Sequence, residues 1–364
     1  MPTLETPASR RSPARRMLHV LASPYFRYRH ASFLHAIRVA LAMLASIALT
    51  SGANLPHGVW ASVTLLVVIG GLQHHGNIRK KAAERALGTL LGAGLGLSLI
   101  IVQGIVGSLW LTFLLMSAIA GACAYYAIGK AGYVALLTAI TMVIVSGHGD
   151  LPIDVGLWRT ANVLIGIVIA LAFSFVLPQY ATYSWRYRLA DNLRESARLY
   201  AAILEGKPMD PEALTQRFLV MSRRLVQSRS LMESVAKEID VPVSILDEIQ
   251  RLHRSILAAL EMMATSGAES ARMLAASPNA EERAVRQTLL LMARALRFGR
   301  VGLLHAAAYA LEVKPGIEVA QPQADLQGMH WLAMRLAEEV NRLRLRLIEI
   351  ERHWNIEGAQ PFFR

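Results

Sequence analysis

Charged side chains disappear from the chain over four long stretches. Val39–Ile78 is 40 residues without Asp, Glu, Lys or Arg, Ala86–Gly129 another 44, Ala131–Gly149 another 19 and Thr160–Trp185 another 26. One bilayer crossing takes about 20 predominantly apolar residues, so these windows hold two, two, one and one spans. Glycine and proline mark the divisions between them. The pattern predicts six membrane helices, Phe33–Ser51, Pro56–Gly71, Ala86–Gly104, Ser108–Ile128, Tyr133–Gly147 and Trp158–Leu177, the last stopped by Pro178.

Beyond Pro178 the periodicity becomes that of amphipathic helices with explicit stops. A helix over Tyr183–Glu205 ends at Gly206, and Asp210-Pro211 reads as an N-cap with proline at the first helical position, opening a helix to Ile239. Ser244–Asp247 has the spacing of a capping box with Asp in place of Glu. Ser277-Pro278 opens a fourth helix that Lys314-Pro315-Gly316 closes. Along the last helix, Asp325–Trp354, the residues Leu336, Val340, Leu343, Leu347, Ile350 and Trp354 alternate spacings of four and three. That is a heptad seam, suited either to the chain's own helical core or to a second subunit.

The fold class predicted is all-α: a basic segment 1–32, a six-helix transmembrane domain 33–178 and a cytoplasmic helical bundle 179–364. Basic residues set the orientation. Arg10, Arg11, Arg15, Arg16, Arg27 and Arg29 precede the first span, Arg79, Lys80, Lys81 and Arg85 lie between the second and third, Lys130 between the fourth and fifth, and Arg186 and Arg188 after the sixth. The alternate loops Gly52–Leu55 and Gly104–Gly107 carry no charge, and the fifth-to-sixth loop has Asp150 and Asp154 ahead of Arg159. Lys/Arg excess marks the cytoplasmic side, so both termini are expected inside. No cleavable signal peptide is expected, because arginines and Pro13 interrupt the tail where an apolar region would begin.

Composition changes the picture little. With 54% hydrophobic and 18% charged residues, the chain is too apolar for a disordered or ordinary soluble protein. Its net charge of +12 is substantially topological and does not call for nucleic acid. Cys123 is the one cysteine, which excludes an internal disulfide framework and a cysteine-based zinc site.

A few polar residues inside the spans are the candidate chemistry. Arg38 lies one turn inside the first span, Arg85 opens the third, and Arg159 opens the sixth, followed on one face by Asn162 and Gly166. The arginines read either as interfacial, snorkelling cations or as a pathway drawing anions from opposite mouths. Gly88, Gly92 and Gly96 recur every four residues, a smooth face for close helix packing or, alternatively, for a pathway. Trp60 and Thr64 share a face of the second span and Tyr125-Tyr126 close the fourth, as an interfacial belt or as stacking surfaces for a planar ring. Adjacent His74-His75 diverge by about 100° around a helix, which disfavours a metal pair. No cofactor, metal or catalytic constellation is expected, and Glu84, Asp150 and Asp154 leave the middle of the spans without a carboxylate.

Two short motifs carry a family resemblance. Trp60–Thr64 (W-x-x-x-T) followed by Arg85–Gly94 (R-x-x-G-T-x-x-G) resembles the FUSC superfamily of fusaric-acid-resistance proteins and bacterial aromatic acid exporters. Plant aluminium-activated malate transporters look like more distant relatives. The resemblance covers about residues 30–350 and implies an inner-membrane exporter of organic anions, with aromatic carboxylates as the substrate class. A passive anion channel or a non-transporting scaffold that recruits a partner through its last helices are the alternatives. Larger relatives repeat the six-span module, so its single copy here implies a homodimer. The resemblance also suggests a periplasmic adaptor as partner.

Overall fold

The computed structural model describes residues 24–69, 75–129, 131–147, 152–176, 180–207, 209–265, 280–311 and 324–355. Every regular element among them is a helix, and contacts divide the chain into two units, Met1–Gln179 and Tyr180–Arg364.

The first unit comprises α1 (Pro24–Arg29), α2 (Ala31–Gly52), α3 (Val59–Ile69), α4 (His75–Val106), α5 (Leu109–Ala127), α6 (Gly132–Ser146) and α7 (Ile153–Val176). Four segments among the described residues are long and apolar enough to cross a membrane: Ala31–Gly52, Ala82–Val106, Leu109–Ala127 and Ile153–Phe175. Six were expected. The second and fifth are the short ones, with 11 residues in α3 and 15 in α6. At 1.5 Å per residue the described part of α3 rises about 17 Å and α6 about 22 Å, against a hydrocarbon core of about 30 Å.

A local cause sets the start of α3, and residues 70–74, which follow Ile69, lie outside the described residues. The helix does not begin at Pro56, because His57 takes a left-handed φ of 59° and Asn54 one of 46°. Gly58 is pressed against α2, where a Cβ would lie 2.6 Å from Thr50 Cβ. The turn is therefore shaped by contact with α2.

The short helices are the more enclosed ones. Ala61, Ser62, Thr64, Leu65, Val68 and Ile69 of α3 are buried, whereas α5 buries only Thr112. An enclosed helix is shielded from lipid by its neighbours. α3 packs on α2 and α7, while α4 lies along α6 and α7. The glycines of α4 make that second approach close. A Cβ on Gly88 would sit 2.7 Å from Leu137 Cβ, one on Gly92 2.5 Å from the Thr138 carbonyl oxygen, and one on Gly96 2.9 Å from the Met142 carbonyl oxygen. α4 also starts well before its predicted apolar window, since charge interrupts hydropathy without interrupting a helix; Lys80 and Glu84 pair along it at 3.8 Å.

The second unit contains α8 (Ala181–Leu204), α9 (Pro211–Arg229), α10 (Met232–Ile239), α11 (Val243–Thr265), α12 (Ala280–Phe298), α13 (Gly302–Leu311), α14 (Ala324–Glu349) and α15 (Glu351–Trp354). Their apolar faces enclose one hydrophobic core that runs from Ala181 and Trp185 to Trp354. Asp210 caps α9 as expected, its Oδ2 accepting from the Ala213 amide at 3.0 Å. The helix predicted to continue to Ile239 breaks after Arg229, where the Ser230 hydroxyl donates to the Gln227 carbonyl at 2.9 Å. The capping box at Ser244–Asp247 does not form: α11 already begins at Val243, which places Ser244 inside its first turn. Leu336, Val340, Leu343, Leu347, Ile350 and Trp354 all lie within the unit's own core. The heptad seam is thus occupied inside the chain and is not available to a second subunit. Ser277 and Pro278 lie outside the described residues.

Polar groups tie this core together. Glu238 accepts from the Ala181 and Thr182 amides and from the Thr182 hydroxyl, each at 2.9 Å, capping the first turn of α8. Arg186 is fully buried, donates to the Leu296 carbonyl through Nε and Nη2 at 3.1 and 2.9 Å, and lies 5.0 Å from the Trp354 ring centroid. Asn192 Nδ2 donates to the Met221 carbonyl at 2.9 Å and to His253 Nε2 at 3.2 Å. Burial pushes the His253 imidazole down to about 3, so it sits neutral and accepts that bond.

Candidate functional site

One face of α3 gathers the polar side chains singled out in the sequence. Trp60 and Thr64 stand four residues apart on it, a rise of about 6 Å. Asn162 of α7 donates through Nδ2 to the Pro56 carbonyl just before α3 and to the Trp158 carbonyl, both at 2.8 Å. Arg159, one turn earlier on α7, places its Cζ 5.8 Å from the Trp60 ring centroid and donates to the Ile144 carbonyl of α6 at 2.5 Å. From α4, Arg85 Nη2 makes a long contact of 3.5 Å with the Thr64 hydroxyl.

Arg85 and Arg159 were expected at opposite mouths. Their side chains instead reach consecutive turns of α3, Arg85 at Thr64 and Arg159 at Trp60. Neither forms an ion pair among the described residues. The α7 face that continues from Arg159 through Asn162 to Gly166 closes directly on α3. A Cβ on Gly166 would collide with the Ala61 carbonyl oxygen and lie 3.0 Å from Thr64 Cβ. Both glycine-bearing faces are therefore packing faces in this structure, α7 against α3 and the Gly88/Gly92/Gly96 ladder against α6.

Several buried polar atoms here lack a hydrogen-bond partner among the described residues, Arg159 Nε and Asn162 Oδ1 on α7 and Arg85 Nε and the Thr89 hydroxyl on α4. Arg85 is 1% exposed, and its Nε has no hydrogen-bond partner among the described residues. Thr89, one turn further along α4, is fully buried and its hydroxyl is equally unsatisfied. Buried donors of this kind are normally paired, so the unmet ones call for a further acceptor. Thr89 was read in the sequence only as a letter of the R-x-x-G-T motif. Its i, i+4 relation to Arg85 was the available signal, since that spacing puts two side chains on one helix face.

Other expectations fall elsewhere. Arg38 is 1% exposed and its Nη2 is 2.8 Å from His35 Nδ1, so it does not snorkel to solvent. A hydroxyl pair that the sequence reading missed, Ser46 and Ser62 at 3.0 Å, joins α2 to α3. Tyr125 and Tyr126 are exposed, meet edge to face with centroids 5.5 Å apart, and line a cavity of about 530 Å³ with Ile128, Gly129 and Ala131. That lining contains none of the arginines. His75 begins α4, whereas His74 lies outside the described residues. No group of three or more His, Cys, Asp or Glu side chains capable of holding a metal occurs among the described residues.

Comparison with known proteins places the chain among membrane proteins. Over 235 residues the chain is 33% identical to inner membrane protein YeeA of Escherichia coli strain K12, covering 65% of this chain and 66% of that protein. Over 165 residues it is 28% identical to the uncharacterized transporter YdhK of the same strain, covering 43% of this chain and 24% of the relative. The chain thus spans just under two thirds of one relative and about a quarter of the other. Its apolar helices make it a multi-pass membrane protein. The model of the fusaric acid resistance protein family matches residues 32–356, nearly the whole chain, and the protein belongs to that family.

Proposed function

We propose that the protein is an inner-membrane exporter of organic anions, with aromatic carboxylates as its substrate class. The observation that carries this reading is the Arg85–Thr89 pair: a buried guanidinium outside any ion pair among the described residues, with a donor and an adjacent hydroxyl unmet. A carboxylate supplies the missing charge and acceptors. Thr64 orients Arg85 from α3, and Trp60 offers a ring face one turn away, already polarised by Arg159.

In this proposal α3 and α6 complete a six-crossing topology as short, enclosed crossings. Both termini and the Arg79–Arg85 stretch face the cytoplasm on the basic-residue rule. A cysteine placed at Asp150 should then react with an external label and one at Lys80 should not. The homodimer rests on different ground from the seam and the glycine ladder, both of which are occupied within the chain. It rests on α5, which buries only Thr112 and has no atom within 4 Å of where a Gly121 Cβ would sit. A periplasmic adaptor would complete an export route across the envelope.

The experiment is flux of a labelled aromatic carboxylate such as benzoate in proteoliposomes, with membrane potential and pH gradient set separately. A negative-inside potential expels a monovalent anion with about 2.3 kcal/mol per 100 mV. Flux that follows the potential alone favours a channel or uniporter, and flux that needs the pH gradient favours proton coupling. No anion flux above that of empty liposomes under either gradient would reject the transport reading.

A further inference from the structure

The second unit holds a cationic cavity that the transport reading does not use. It lies between the last turn of α9 and the first half of α11, has a volume of about 390 Å³, and is lined by Arg229, Ser244, Asp247, Gln250, Arg251 and Arg254. Along α11, Ser244, Asp247, Arg251 and Arg254 follow spacings of three, four and three, so they form one stripe. Gln250 is buried beside that stripe, and its Nε2 donates to the Leu225 carbonyl at 2.7 Å. This bond pins α11 to α9 and fixes the position of Arg229 relative to the other two arginines.

A solvated basic stripe is the ordinary explanation for such a surface. Two features argue against it. The first is pairing: on α14, Arg335 pairs with Glu338 and Glu339, Arg342 with Glu338, and Arg346 with Glu248 and Glu349, while Arg344 donates to the Asn341 side-chain carbonyl. Arg229, Arg251 and Arg254 have no such partner among the described residues, although Asp247 shares their cavity. The second is shape, because three like charges from two helices converge on a concavity within the usual size range of small-ligand sites.

Charge and donor count specify the ligand. Three guanidinium groups against one carboxylate leave a surplus of two positive charges. A phosphomonoester near neutral pH carries about −1.5 to −2 and three strong acceptor oxygens, and guanidinium forks match it bidentately. A monocarboxylate has half that charge and one oxygen fewer. We propose that this cavity binds a phosphomonoester group. Ser244 adds a hydroxyl donor to the phosphate, and Asp247 accepts from a hydroxyl of the group that the phosphate esterifies. The phosphate arrives either on a soluble metabolite or on a phosphatidic-acid-type lipid headgroup.

The test uses the full chain in phosphatidylcholine nanodiscs, titrated calorimetrically with inorganic phosphate at constant ionic strength and, separately, with acetate. Saturable one-to-one binding of phosphate is expected, with acetate weaker by about tenfold or more. Arg251→Gln combined with Arg254→Gln should weaken phosphate by about tenfold or more at an unchanged melting temperature. The corresponding double Lys variant should fall between, since charge remains and the fork is lost. Arg229→Gln, on the other helix, and Ser244→Ala should each weaken binding severalfold, which keeps the test decisive if the double variant does not fold. Nanodiscs containing phosphatidic acid separate the sources. Loss of the phosphate heat there identifies the lipid headgroup, and its persistence identifies a soluble phosphomonoester. Absence of saturable phosphate binding in phosphatidylcholine, equal affinity for acetate, or unchanged affinity in folded variants would overturn the proposal.

Discussion

Exchanging Gly92 for alanine separates packing from permeation. The new Cβ would lie 2.5 Å from the Thr138 carbonyl oxygen, 2.7 Å from Thr141 Cβ and 3.0 Å from the Met142 amide nitrogen. Two of these are backbone atoms of α6 and cannot turn aside as a side chain would. A relaxed carbon-to-oxygen contact sits at about 3.3 Å or more, so α4 and α6 must part by close to an ångström over that turn. Overpacking of this kind costs about 1–3 kcal/mol. Gly94 supplies the control, because nothing lies within 4 Å of its own Cβ position. Both substitutions gain the same helix-propensity benefit of about 0.5–1 kcal/mol, which cancels in the comparison. Reversible unfolding in mixed micelles should therefore place Gly92→Ala about 1–3 kcal/mol below Gly94→Ala. Equal stabilities with flux lost only in Gly92→Ala would put the ladder on the permeation path. Equal stabilities and equal flux would refute the close approach itself.

Arg85→Gln should lower carboxylate flux severalfold or more while the melting temperature holds, and Arg85→Lys should recover part of it; full flux in a folded Gln variant would remove Arg85 from the pathway. Thr89→Val should reduce flux with little loss of stability, because the hydroxyl it removes is already unsatisfied among the described residues. His253, held at about 3 in the folded unit against an ordinary 6.5, binds no proton there while the unfolded chain does. Stability should therefore be greatest above the ordinary value and fall as pH drops toward the folded one, by at most about 1.4 kcal/mol per pH unit from this group. Denaturant unfolding across that range should show a shallower slope in His253→Gln; an identical slope would assign the dependence to other groups. Glu238→Gln should cost about 1–2 kcal/mol by weakening the cap on α8, read as a lower denaturation midpoint.

The helical class, the family and the full-length spans were legible in the sequence because each rests on short-range information. Runs free of charge set α2, α5 and α7, and Gly147, at a φ of 59°, ends α6 where the glycine suggested. What was not legible depends on contacts between distant segments. The start of α3 shifted because Thr50 of α2 meets the Gly58 backbone, a fact no local preference of Pro56 contains. The seam of α14 had the right periodicity but no sign of its partner, which proved to be the core of its own unit. At the candidate site, the identities of Arg85, Thr64, Trp60, Arg159 and Asn162 were readable as polar residues in apolar surroundings. Their convergence on one helix was not, since the reach of an arginine side chain decouples its charge from the depth of its Cα.

The buried guanidinium of Arg186 sets an order of events during synthesis. It stands at the start of the second unit, while the Leu296 carbonyl and the Trp354 ring that hold it lie 110 and 168 residues further along the chain. The helices of the first unit can enter the bilayer as they emerge, but α8 has to wait until nearly all of the remaining chain has been made. Until then a cation and the apolar face around Trp185 remain uncovered. Non-local closure of this sort is slow and exposes the intermediate to aggregation or proteolysis. Chains stopped or nicked before Trp354 should therefore leave the core of the second unit open, however well their membrane helices have inserted.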